Sequence, residues 1–326
     1  MCKSSSVWLI LWLFPALLSG QNILTTTSVL QDMAQNLAPD HCQVQTIVPR
    51  GMDPHIYEPT PSDIDLVLES DIIFMNGLRL EGWLDKVISN AGRHGKKIIV
   101  TKGIKPITSM EYEDAPDPHA WMDLSFGLIY IDNMRKALLQ LMPEHVEEIQ
   151  KKYDTYYREI KQLNRWIQDE VNRIPKENRV LITSHDAFQY FGQAYGMELH
   201  ATMGLSTDAD VKTGDIIHIT NLLETRSIPA IFIESTINPK LLEQIAADYG
   251  VEIGGELFAD ALSDASGPAG TYLNLFRHNT KVITEALTRT EEKEESNASR
   301  LTHYISYAFI FAIMLSLFIS AYIKLS

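Results

Sequence analysis

Two tripeptides of identical composition, Asp53-Pro54-His55 and Asp117-Pro118-His119, have the plainest capacity for chemistry in this sequence. Proline fixes its own φ and keeps the residue before it extended, so each histidine is held on a stiff loop. One such tripeptide could be chance; two, each leading toward a helix start, point to two placed imidazoles. A third candidate, His185, closes the run Val180-Leu181-Ile182-Thr183-Ser184-His185 at the C-terminal end of an expected parallel strand, where open α/β sheets bind ligands. A fourth, Asp260, ends Gly255-Glu256-Leu257-Phe258-Ala259-Asp260, again at a strand's end. Three imidazoles and one carboxylate make a four-coordinate set suited to a borderline divalent ion such as Zn²⁺. The residues alone leave alternatives open. A lone histidine on such a loop is often a hydrogen-bonded structural residue, Asp260 could cap a helix starting near Ala261, and Asp264 competes with it. His41, His94, His145, His200, His218, His278 and His303 have no comparable context and read as surface or structural.

The four candidates are far apart in the chain, so a site forms only if distant segments face each other across a cleft. Two precede and two follow the longest helical signal, from Glu144 to Ile174. There Val146, Ile149, Tyr153, Tyr156, Ile160, Leu163, Ile167, Val171 and Ile174 recur at gaps of three and four, making one apolar stripe. Pro143 and Pro175 bracket it, and the pairs Glu147–Lys151 and Glu148–Lys152 are spaced to reinforce it. At 1.5 Å per residue it would run about 45 Å, more than one small lobe. Buried strands are expected at Val44–Val48, Asp71–Met75, Lys97–Val100, Val180–Thr183, Ala230–Ile233 and Ile253–Phe258. Alternating with helical patterns, they predict α/β architecture: two α/β lobes with parallel sheets, joined by one long rigid helix, the metal site in the cleft between them. Thr60-Pro61-Ser62-Asp63 is a helix start, with Thr as cap, Pro at the first position and an acid in the first turn.

The ends predict export. Residues 1–20 carry a lysine, an apolar run from Val7 to Leu18, then Ser19 and Gly20, the layout of a secretory signal. Residues 304–323 are uncharged over a length of about 20 residues, enough for a bilayer core, and read as a C-terminal transmembrane helix. The polar stretch 289–303 reads as a linker. The expected division is thus a leader (1–20), an N-terminal lobe (21–142), the long helix (143–175), a C-terminal lobe (176–288), the linker and the anchor. The protein would sit in the periplasm or at the cell surface, held to the cytoplasmic membrane. Net charge is −14, from 42 acidic against 28 basic residues, which argues against a nucleic-acid partner and suits cations. With only two cysteines, Cys2 and Cys42, neither a disulfide framework nor a Cys-based zinc module can be built.

Taken together, four stretches resemble a known family, the zinc- and manganese-binding solute-binding proteins of bacterial metal ABC transporters (cluster A-I, TroA/ZnuA-like). They are GMDPHIYEPTPSDIDLVLESDIIFMNGLRLEGWLDK (51–86), PDPHAWMDL (116–124), LITSHDAFQYFGQAYGME (181–198) and LFADALSDASGPAGTYLNLFRHNTKVI (257–283), within a likeness over roughly residues 22–288. The resemblance implies two α/β lobes joined by a long helix. It places the metal ligands on His55 and His119 from the first lobe and His185 and Asp260 from the second. It also implies one Zn²⁺ or Mn²⁺ per chain as transported cargo, a membrane permease as partner, a monomer, and no enzymatic activity. The chain departs from the family in three ways. Lys102–Pro116 has no histidine-rich loop, no lipid-anchor cysteine follows the leader, and the apolar tail is extra.

Imidazole favours zinc more than carboxylate does, and Zn²⁺ lies above Mn²⁺ in affinity at nitrogen–oxygen sites, so zinc stands before manganese as cargo; availability and release also select the ion, and iron is kept as a weaker third. Four protein ligands leave no open position for a catalytic water, and there is no HExxH helix. Release is expected to involve movement of the Asp260 segment, with Gly254, Gly255, Gly267 and Gly270 supplying slack. The alternative function is a surface adhesin or interaction protein with a structural metal, which the apolar tail would suit.

Overall fold

The computed structural model describes residues 20–92, 94–109, 115–208 and 211–288. The leader up to residue 19, the linker over 289–303 and the apolar segment over 304–323 lie outside the described residues. Among the described residues no helix is long and apolar enough to cross a membrane.

The first lobe is built on a four-stranded parallel sheet of β1 (Asn22–Thr25), β2 (Gln43–Thr46), β3 (Ile72–Met75) and β4 (Lys96–Ile99), in the order β2-β1-β3-β4. Helices α1 (Ser28–Gln35), α2 (Pro61–Glu69) and α3 (Leu84–Ala91) form its crossovers. The expected start of α2 is present. Pro61 opens the helix, and Asp63 Oδ2 accepts the Thr60 backbone N–H at 2.6 Å and its hydroxyl at 2.9 Å. A short hairpin, β5 (Thr108–Ser109) with β6 (Ala115–Pro116), leads through a 3₁₀ turn at Ala120–Met122 into α4 (Leu124–Leu141).

Helix α5 (Val146–Asn172) is the predicted long helix, preceded by a 3₁₀ turn at Pro143–His145. Of its stripe, Ile149, Tyr156, Ile160, Leu163, Ile167 and Val171 are buried, with Ile174 just beyond; Tyr153 is half-buried and Val146 is exposed. The expected Glu148–Lys152 pair gives way to longer reaches. Lys152 binds Asp40 Oδ1 at 2.5 Å and the Ala38 carbonyl at 2.8 Å, while Glu148 accepts the Asp40 N–H at 3.3 Å. An ion pair to another element ties the helix to the lobe, which an intrahelical pair does not.

The second lobe carries the parallel pairs β7 (Val180–His185) with β8 (Glu198–Met203), and β9 (Ala230–Glu234) with β10 (Glu252–Leu257). Strand β7 lies beside β9, so β8 is at an edge. Helices α6 (Gln189–Tyr195), α7 (Thr213–Thr225), α8 (Lys240–Tyr249) and α9, over 272–288, pack around them. The six predicted strands are present, but β2 and β4 are exposed to half-buried rather than buried; β1, β8 and the small hairpin are additional. One apolar core runs from Ile23 and Phe74 in the first lobe, past Ile160 and Ile167 of α5, to Phe191 and Phe276 in the second. At the junction Asp32 Oδ2 accepts the Tyr272 N–H at 3.0 Å and lies 3.4 Å from the Tyr156 hydroxyl, joining α1, α5 and α9. A Cβ on Gly127 would stand 2.6 Å from the Tyr272 hydroxyl, so only glycine lets α4 come this close.

Candidate metal centre

The four predicted residues meet at the interface of the lobes. One ligand atom from each of His55, His119, His185 and Asp260 lies within 4.8 Å of every other. His55 Nε2 is 3.1 Å from His119 Nε2. Asp260 Oδ1 is 3.4 Å from His119 Nε2, and Oδ2 is 3.1 Å from His185 Nε2 and 3.8 Å from His55 Nε2. The side chains of His119, His185 and Asp260 have no exposure, and His55 has 4%. Neither Asp260 oxygen receives an aligned hydrogen bond. A buried carboxylate without donors is costly unless a cation compensates it. Three Nε2 atoms and one carboxylate facing a common point fit such an ion, with bonds of about 2.0–2.2 Å.

The two Asp-Pro-His tripeptides start alike and finish differently. In both, the aspartate Oδ1 accepts the histidine backbone N–H, at 2.8 Å for Asp53–His55 and 2.9 Å for Asp117–His119. This Asx turn sets the loop. Asp117 Oδ1 also lies 2.8 Å from His119 Nδ1, orienting the ring so that Nε2 faces the centre. Asp53 instead turns Oδ2 to the Thr207 hydroxyl, 2.5 Å away in the second lobe.

Glu234, the last residue of β9, does for His185 what Asp117 does for His119. Its Oε1 accepts the His185 N–H at 2.8 Å, and its Oε2 lies 2.7 Å from Nδ1 as a charge contact without hydrogen-bond alignment. Behind the His119 loop, Asn76 Nδ2 donates to the Pro118 carbonyl at 2.9 Å, and the Tyr130 hydroxyl donates to Asn76 Oδ1 at 2.5 Å. Buried Glu81 accepts the N–H groups of Asn76 (2.6 Å) and Gly77 (3.0 Å), bracing a turn in which Gly77, Leu78 and Arg79 all have positive φ. Neither Glu234 nor Asn76 was singled out from sequence; a carboxylate ending the apolar run Ala230–Glu234 was the available signal for the first.

Charges are strongly coupled here. Burial opposes protonation of His119, but Asp117 and Asp260 outweigh it and hold the imidazole at about 9. His185 is likewise raised, burial being overcome by Glu234 and Asp260. For His55 burial dominates and lowers it to about 3. Burial would raise Asp260, but the three surrounding histidines pull it well below its ordinary value.

The Asp260 segment does not have the expected slack. Asn279 grips Phe258 through two hydrogen bonds, Trp121 Nε1 donates to the Ala259 carbonyl, Ser28 accepts the Leu262 N–H, and Gly51 donates to the Leu262 carbonyl. A Cβ on Gly254 would stand 2.5 Å from the Phe232 ring and one on Gly255 2.7 Å from Val282, so these glycines serve close packing. No helix begins at Ala261, so Asp260 is not a cap, and Asp264 is exposed. Beside His55 the site opens to a cleft of about 540 Å³ lined by His55, Ile56, Tyr57, Leu78, Trp83 and Leu205.

Comparison with known proteins gives a consistent family. Residues 23–286 match the family described as zinc-uptake complex component A, periplasmic (ZnuA). The chain is 32% identical over 270 residues to the manganese-binding lipoprotein MntA of Halalkalibacterium halodurans, covering 83% of this chain and 89% of that protein. It is 35% identical over 263 residues to the iron-binding protein YfeA of Yersinia pestis, covering 80% and 84%. The solved structure of the periplasmic zinc-binding protein TroA of Treponema pallidum superposes with a TM-score of 0.78 at 32% identity, over 83% of this chain and all of that one. The two lobes, the parallel sheets and the long helix are therefore those of a TroA-like fold, and the chain belongs to the ZnuA family of metal-binding components of transport systems.

Proposed function

We propose that the protein binds one divalent metal ion between its lobes, through His55, His119, His185 and Asp260, and hands it outside the cytoplasm to the permease of an ABC transporter. The observation that carries this reading is the buried convergence of three Nε2 atoms on a carboxylate that receives no hydrogen bond. Family membership supports transport over hydrolysis, and four protein ligands suit storage and transfer rather than activation of water. Relatives named for manganese, iron and zinc share the fold, so the ligand set decides the order of preference. Three imidazoles put zinc ahead of manganese, and the ligand set by itself gives manganese no advantage over iron. Availability in the cell also selects the ion that is carried.

Release works by loosening the mouth. His55 is the most exposed of the four, and its loop is joined across the cleft by the Asp53–Thr207 hydrogen bond, whereas the Asp260 segment is clamped from both lobes. A permease that displaces the Thr207 loop withdraws His55 and leaves a three-ligand site of lower affinity. Elemental analysis of the purified chain and its His119→Ala variant tests the binding claim. The proposal expects one equivalent of zinc or manganese in the first and a loss in the second. No stoichiometric metal in either would move the weight to a surface-interaction role.

A further inference from the structure

Three described histidines have a ring nitrogen within 3 Å of a carboxylate oxygen: His119 with Asp117 at 2.8 Å, His185 with Glu234 at 2.7 Å, and His200 with Glu198 at 2.9 Å. The first two are in the interlobe centre. The third is on the edge strand β8, away from it in the fold. Its Nε2 faces Glu198 Oε1, and the same oxygen accepts a hydrogen bond from Arg226 Nη1 at 2.8 Å. The opposite nitrogen, Nδ1, lies 3.0 Å from Nε2 of His218 on α7.

We propose that His200 and His218 form a second metal site, open to solvent, for an imidazole-preferring divalent ion of the zinc–copper class. Two imidazole nitrogens bound at about 2.0–2.1 Å to one ion stand about 3 Å apart at tetragonal to tetrahedral angles, which the pair already matches. Glu198 provides what Asp117 provides for His119: it takes the Nε2 proton of His200 and leaves the Nδ1 lone pair facing the ion. Burial also lowers the pKa of His200, favouring its neutral, ligating form. Without an ion, the His218 Nε2–H donates to His200 Nδ1; with one, that proton moves to the other ring nitrogen of His218 or to solvent. Exposed His218 is free to rotate toward the ion, and water would fill the remaining positions. Manganese, which prefers oxygen ligands, has little to gain from two imidazoles. The chain would thus hold two zinc ions but one manganese.

Neither histidine stood out in the sequence, because they are 18 residues apart and meet only when α7 packs on β8.

The test is equilibrium dialysis of the full chain against zinc chloride, from trace to high-micromolar free zinc, read by elemental analysis. The expected result is a tight first equivalent and a weaker second one. In His218→Ala the second weakens at least tenfold while the first is unchanged. In His119→Ala the tight equivalent is lost and the weak one stays. Dialysis against manganese should show no second equivalent. Saturation of the wild type at one zinc, or a second equivalent that survives in His218→Ala, overturns the proposal. A wild type that shows no tight step but keeps the weak one, sensitive to His218→Ala, would count against the interlobe reading and leave this one standing.

Discussion

Glu234 grips His185 twice, taking its backbone N–H on one oxygen at 2.8 Å and placing the other 2.7 Å from Nδ1. One carboxylate holds the backbone and sets its charge against the ring, so Nδ1 has an anionic partner before any ion arrives. Replacing Glu234 by Gln keeps the shape and removes the charge. Zinc affinity should fall by ~10–100-fold, the usual loss for a group that orients a metal ligand. Competition with a chromophoric chelator measures it, and an unchanged affinity would show that Nδ1 needs no anionic partner.

Asp260→Ala removes a ligand rather than its support. The loss of zinc affinity should exceed the ~10–100-fold expected for Glu234→Gln. In the metal-free variant the pKa values of His119 and His185 should fall, though Asp117 and Glu234, their first raising partners, remain; NMR of the imidazole protons reads the change directly. Tight binding by the variant would exclude Asp260 as a ligand.

Acid should release the cargo. In the metal-free protein His119 titrates at about 9, and His185 is also raised, so near neutral pH both rings carry protons that an ion must displace. The bound state holds fewer protons than the free one, so affinity rises with pH until His119 deprotonates, at about 9, and falls on acidification. The same raised pKa means that protonated His119 adds stability to the metal-free fold fully below its unfolded value of 6.5, an addition lost as pH rises through about 9. Calorimetry at pH near neutral in buffers of different ionisation heat should register net proton release on zinc binding. A net proton count of zero would contradict the assignment.

Thr207→Val deletes the hydroxyl that bonds Asp53 across the mouth at 2.5 Å. A hydrogen bond of net ~0.5–1.5 kcal/mol corresponds to a roughly two- to tenfold faster metal dissociation. Stopped-flow transfer to a chelator gives the rate. An unchanged rate would place the yielding element elsewhere.

Ile160→Ala, at no exposure in the middle of α5, should cost about 2–5 kcal/mol. Because the core is continuous through the helix, denaturant should unfold both lobes in one transition, in variant and wild type alike. Two separate transitions would mean that the lobes fold independently.

The four candidate ligands, which the structure brings together, and the long helix each leave a local mark in the sequence. Proline stiffens the two tripeptides, apolar runs end on His185 and near Asp260, and α5 repeats at three and four. Strand β1 was hidden because its neighbours are polar: Thr25, Thr26 and Ser28 are buried through hydrogen bonds. Strand β8 was hidden because an edge strand has no apolar run. Glu234, Asn76 and the Asp53–Thr207 bond are facts of tertiary packing, with no sequence spacing to announce them. The glycines near Asp260 misled for the same reason. Their type suggests freedom, and only Phe232 and Val282 reveal that the space is already filled.

Helix α5, about 40 Å long at 1.5 Å per residue, is embedded in the core along its length and joined at mid-span to α1 and α9 through Asp32. Such a strut denies the lobes a wide swing. The loaded and unloaded proteins should therefore have nearly the same silhouette in solution, with indistinguishable radii of gyration by X-ray scattering. A permease that must tell one from the other has little to read in overall shape. On the proposed reading it has to inspect the mouth around Ile56 and Leu205, where the position of His55 would carry the message.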